Sequence, residues 1–186
     1  LDHISNLLKK PSIRLITLFG PGGIGKTRLA IESARKSEES FKDGIAFIPL
    51  APVKDYLLAA ETICYNLGIK VSAGNTLESL KFFLQDKNIL LVLDNFEQIT
   101  EAASIIDDLL YAAPQIKIMV TSRERLSLSF EQVVPVPPLA ETYSDVSDPS
   151  NNNLPPAVEL FINRAQAIQA DFELTDLNKP LLFQIC

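Results

Sequence analysis

Residues 20–27 read Gly-Pro-Gly-Gly-Ile-Gly-Lys-Thr, and few octapeptides restrict a fold so strongly. Upstream, residues 13–19 (Ile-Arg-Leu-Ile-Thr-Leu-Phe) form the short β-rich run that a buried parallel strand needs. Downstream, Lys26 to Ser37 is helix-compatible, with Leu29, Ala30 and Ala34 on one face. A strand, a glycine-rich turn and a helix in that order are the setting of a phosphate-binding loop, the Walker A pattern.

The chemistry explains the residue types. Gly22, Gly23 and Gly25 are expected to give the backbone conformations that a Cβ forbids, so that successive N–H groups turn inward. With the positive end of the following helix they make an anion cradle. Gly20, Ile24 and Arg28 complete the predicted binding stretch. Lys26 is expected to reach the β- and γ-phosphates, and the Thr27 hydroxyl to ligate Mg²⁺, which prefers oxygen ligands.

With 186 residues, 47% of them hydrophobic and 22% charged, the chain can bury one sizeable α/β core. A formal net charge of −6 argues against this segment gripping nucleic acid or an anionic membrane by itself. No apolar run approaches the roughly 18 residues that span a bilayer, and no signal peptide is visible. Two cysteines, Cys64 and Cys186, make no metal or disulfide framework, and the single histidine, His3, is expected to be solvated. A cytoplasmic setting fits. The first residue is Leu1 and the last lie in a helical pattern, so an excised piece of a longer protein is expected.

In chain order, Ile4, Leu7 and Leu8 mark a first helix closed by Pro11. Residues 44–50 are a second strand. Residues 56–67 carry a helical stripe, Ala60, Ile63, Cys64 and Leu67, stopped by Gly68, and Thr76 is a candidate cap for a helix carrying Leu77, Leu80 and Leu84. Residues 88–97 read Asn-Ile-Leu-Leu-Val-Leu-Asp-Asn-Phe-Glu, a run of consecutive aliphatics that ends on Asp94. In open α/β sheets ligands gather at the carboxyl ends of strands, so Asp94 is expected to face the phosphate loop and hold Mg²⁺, the Walker B pattern. A further buried strand, residues 115–123, ends in Thr121, Ser122 and Arg123. The planar fork of a guanidinium there suits a γ-phosphate. Arg125 is a poorer candidate. Residues 143–153 are polar and turn-rich, and Pro155 and Pro156 suit the start of another helix.

Taken together, Gly-Pro-Gly-Gly-Ile-Gly-Lys-Thr-Arg-Leu-Ala, Leu-Val-Leu-Asp-Asn-Phe-Glu and Val-Thr-Ser-Arg-Glu resemble the STAND class of P-loop ATPases, nearest to the NB-ARC-like domains of bacterial LuxR- and SARP-type regulators. The resemblance continues through residues 134–139 and 157–165 and so covers nearly the whole chain. It implies a P-loop NTPase three-layer α/β sandwich whose five-stranded parallel sheet runs 5-1-4-3-2, with the Arg123 strand between the Walker A and Walker B strands. The expected divisions are a nucleotide-binding domain at 1–142, a flexible linker at 143–153 and a truncated helical subdomain at 154–186. It also implies ATP or ADP, with Mg²⁺, rather than guanine nucleotides.

One departure matters. Many hydrolysing relatives follow the Walker B aspartate with an acidic residue that orients the attacking water, and here that position is Asn95. Glu97 can serve if the loop turns it back. The expected catalytic set is therefore Lys26, Asp94, Glu97 and Arg123, with Thr27 and Asp94 on the metal. The favoured reading is an ATP/ADP switch with slow hydrolysis, whose parent protein self-associates when ATP-bound. The alternatives are a hydrolysis-deficient interaction module and a small-molecule phosphotransferase. Replacing Lys26→Ala should abolish nucleotide binding in a calorimetric titration; unchanged affinity would remove the loop from the site.

Overall fold

The computed structural model describes residues 1–53, 55–71, 75–138 and 154–185. Two units are present, Leu1–Val136 and Pro137–Cys186. The predicted linker at 143–153 lies outside the described residues, as does Cys186.

In the first unit, helix α1 (Asp2–Lys9) precedes strand β1 (Leu15–Phe19), and the glycine loop leads into α2 (Lys26–Lys36). Strand β2 (Ile45–Pro49), helices α3 (Ala59–Asn66) and α4 (Thr76–Leu84), and strand β3 (Leu90–Asp94) follow. Then come α5 (Ala103–Ala112), β4 (Lys117–Ser122) and β5 (Glu131–Pro135). The strands form one sheet in the order β2-β3-β4-β1-β5, every pair parallel. This is the expected order read from the other edge, with β4 between the two motif-bearing strands.

Alternation along each strand builds the layers. Leu91 and Leu93 of β3, and Ile118 and Val120 of β4, point to one face, where they meet Ile63, Leu80, Leu84, Ile106 and Leu109 of α3, α4 and α5. Leu90, Val92 and Met119 point to the other, against Leu7 and Leu8 of α1 and Ala30 and Ala34 of α2. Both faces are covered, so the central strands are apolar throughout rather than alternating with polar residues. All four aliphatics of β3 are buried.

Two local expectations shift. The stripe at 56–67 opens with a short 3₁₀ turn, Tyr56–Leu58, in which the Asp55 carboxylate accepts the Leu57 N–H at 2.9 Å; α3 begins only at Ala59. Asn75, not Thr76, occupies the cap position of α4, and Thr76 is its first helical residue. Gly68 does stop α3. Its φ of 69° lets the Ile69 N–H reach the Cys64 carbonyl at 2.9 Å. Cys64 is a buried free thiol, and burial raises its pKa. His3 is exposed.

The second unit contains α6 (Pro156–Ile168), opened by proline as expected, and α7 (Lys179–Ile185). Phe161 and Phe172 pack with ring centroids 6.1 Å apart. Asn178 closes the turn before α7, accepting the Thr175 N–H at 2.8 Å and donating to the Glu173 carbonyl at 2.9 Å.

Leu91 is fully buried and Tyr65 is 85% exposed. Leu91→Ala should therefore cost about 2–5 kcal/mol in urea unfolding, and Tyr65→Ser less than about 0.5 kcal/mol. Equal costs would contradict the layer assignment.

Candidate functional site

The carboxyl ends of β1, β3 and β4 converge on one cavity of about 550 Å³, lined by Gly22, Gly23, Gly25, Lys26, Thr27 and Arg28 from the loop and α2. Ile31 and Glu32 extend that wall, and Asn95, Glu97, Thr121 and Arg123 close the opposite one. Asp94 lies beneath, only 7% exposed. Two hydroxyls reach it: Thr27 Oγ1 donates to Asp94 Oδ1 at 2.7 Å and Thr121 Oγ1 donates to the same oxygen at 2.6 Å. Thr121 Oγ1 in turn accepts the Asn95 N–H at 3.0 Å. A carboxylate removed from water needs such donors, and these two tie α2, β3 and β4 together.

Lys26 is buried, and its ammonium donates to the Gly20 and Pro21 carbonyls, both at 2.7 Å. Burial lowers its pKa below the ordinary lysine value. The Glu97 carboxylate opposes that shift more than any other group, Arg123 reinforces it, and Asp94 opposes it more weakly.

The glycines divide by role. Gly23 and Gly25 have φ of 81° and 92°, and Gly25 caps α2 in the left-handed region. Gly22 corrects the expectation: it is not among the positive-φ residues. Close approach explains it instead, because a Cβ there would lie 3.1 Å from Arg123 Nη2. Gly20 enters through its carbonyl, and Ile24 packs on the core face covered by α1 and α2 rather than lining the cavity. Arg28 is exposed at the rim.

Asn95 adopts φ 61°, ψ 45°, a left-handed conformation that Asn tolerates better than most residues. The 3₁₀ turn Phe96–Gln98 follows, and Glu97 turns back into the cavity. There Arg123 Nε meets Glu97 Oε1 at 3.1 Å. Among the described residues, Glu97 Oε2 is buried without a hydrogen-bond partner. Arg125 is engaged elsewhere, its guanidinium 5.5 Å from the Phe19 ring centroid. Sequence reasoning placed Thr121 at a strand end without giving it a role; the signal was a hydroxyl one strand over from the aspartate.

Residues 1–133 match the family described as NB-ARC domain. The chain belongs to the NB-ARC family. It is a nucleotide-binding family, and the one anticipated from the motifs. A Mycobacterium tuberculosis protein provisionally named an HTH-type transcriptional regulator is 37% identical over 175 residues, covering 93% of this chain and 18% of that relative. An uncharacterized M. tuberculosis protein is 34% identical over the same length, covering 93% of this chain and 42% of its own. The chain thus spans a minor part of both. Among solved structures, the NB-ARC chain is similar to Cdc6p of Pyrobaculum aerophilum, with a TM-score of 0.59 and 17% identity over 88% of this chain and 46% of that one. At that identity the likeness is of fold alone.

Thr121→Val keeps the volume but leaves the Asn95 N–H without its acceptor and takes one donor from Asp94. It should cost about 1–3 kcal/mol in chemical denaturation. No loss would mean that the hydroxyl bridge does not hold the strand ends.

Proposed function

We infer that this NB-ARC chain is the nucleotide-operated switch of a larger regulator, binding ATP or ADP with Mg²⁺ and hydrolysing ATP slowly. The observation that carries this reading is the convergence of Lys26, Thr27, Asp94, Glu97 and Arg123 on one cavity and its floor. The choice of adenine rests on family resemblance. The regulatory context rests on the name of the M. tuberculosis relative. In this reading residues 1–142 are the nucleotide-binding domain, and self-association belongs to the ATP-bound parent. Contact with DNA lies outside this acidic segment.

The residues suit the ligands. Gly23 and Gly25 leave open space where a Cβ would stand, so loop amides are free to meet phosphate oxygens. Mg²⁺ is usually held by one or two carboxylates with phosphates and waters, and a buried carboxylate already bonded to a threonine hydroxyl fits that pattern. Thr27 and Asp94 would hold the ion. Bound there, it would neutralise charge on the phosphates.

The protein's own groups then have separate tasks. Lys26 supplies a desolvated positive charge beside the loop. Arg123 distinguishes tri- from diphosphate, because only groups that bind the two states differently shift a conformational equilibrium. Glu97 orients the attacking water; Asn95, whose amide cannot take a proton, makes the turn that brings Glu97 in. A second reading, a module that binds nucleotide without turnover, draws on the same Asn95.

Arg123→Ala should weaken ATP by about tenfold or more, the loss of a hydrogen bond to a charged group, and ADP far less, by calorimetry. Equal losses remove the sensing role. In single-turnover assays with labelled ATP, Glu97→Gln should retain binding and lose phosphate release. Absence of release over hours from the unaltered chain would favour the static module.

A further inference from the structure

Resting on the nucleotide reading above, we propose that Glu97 is an internal counter-anion that holds Arg123 in the cavity, so that a triphosphate must compete with it while a diphosphate need not.

Three observations meet here. First, Glu97 is a cavity-lining carboxylate whose Oε1 takes the Arg123 Nε at 3.1 Å. Second, the two partners are unlike in exposure: the Glu97 side chain is 9% exposed and that of Arg123 is 60%. The carboxylate is fixed in the wall, and the guanidinium is the part able to move. Third, Glu97 Oε2 is buried and unpartnered among the described residues, so the anion is under-satisfied where it stands. A half-satisfied buried carboxylate grips an available cation strongly.

The backbone serves this pairing. The left-handed Asn95 redirects the chain after β3, and the Phe96–Gln98 turn sets Glu97 opposite the loop. Gly22 supplies room, because a Cβ there would stand only 3.1 Å from the Nη2 of the guanidinium Arg123 presents to Glu97. The same carboxylate is the main electrostatic support of the Lys26 ammonium. Glu97 thus answers the two cations that a terminal phosphate would claim. A third phosphate faces both a like charge and an already engaged arginine; a tail one phosphate shorter avoids that contest. The unequal demand tilts the resting chain toward diphosphate.

The test is the ratio of ATP to ADP affinity in the full 186-residue chain, measured by calorimetry with Mg²⁺. Glu97→Gln is close to isosteric, and a thermal melt checks its fold. The ratio should rise about threefold to fivefold, the size expected when one partner of a partly exposed ion pair is lost. In an Arg123→Ala background the same substitution should raise the ratio less, because only the like charge is then removed. Glu97→Asp, which keeps the charge but draws the carboxylate back from Arg123 Nε, should also raise the ratio and provides the answer if Glu97→Gln folds poorly. An unchanged ratio in Glu97→Gln, or a gain just as large without Arg123, would overturn the latch while leaving nucleotide binding intact. Failure of the unaltered chain to bind either nucleotide would overturn the underlying reading as well.

Discussion

A buried carboxylate at the end of a buried strand sets the terms for everything around it. Asp94 is withdrawn from water at the carboxyl end of β3, where desolvation is costly unless donors replace the lost solvent. Thr27 from α2 and Thr121 from β4 provide them on a single oxygen. That arrangement demands parallel strands in this order, with β4 beside β3 and the glycine loop opening α2 above them. The core packing on both sheet faces makes the order rigid, and the hydroxyl–carboxylate contacts fix the floor of the cavity.

Charge is distributed against the overall field. The chain carries a net −6, yet Lys26, Arg28 and Arg123 gather about one cavity. Lys26 is stable there because two backbone carbonyls and a nearby carboxylate offset its desolvation. Glu97 matters on both walls, supporting Lys26 and pairing with Arg123. The site is therefore a balanced set of charges rather than a bare positive pocket.

Much of this was legible in the sequence. Strands buried on both faces must be continuous aliphatic runs, so β3 and β4 and their terminal Asp94 and Arg123 could be read directly. The half-buried edge strand β5 carried a weaker apolar signal, and the family resemblance implied a fifth strand without giving its residues. What escaped was geometry between distant segments. Gly22 was read as a backbone necessity, but what sets it apart is its close approach to the guanidinium of Arg123 across the cavity. Asn95 was read as a missing acid, while its local contribution is a left-handed turn that delivers Glu97. Thr121 stood one strand over from the aspartate, but its bridge between Asp94 and the following N–H depends on the pairing of β3 with β4. The start of α3 and the cap of α4 missed by a few residues because a 3₁₀ turn and a neighbouring Asn compete with the apolar stripe for the first turn.

The most direct measurement is a calorimetric titration of the unaltered chain with ADP, repeated with and without Mg²⁺. Saturable one-to-one binding that strengthens when the ion is added is the expected result, since Thr27 and Asp94 would then share the phosphate tail's charge through it. No heat at any nucleotide concentration, with the fold intact, would contradict the central claim that the end of this sheet is a polyphosphate site.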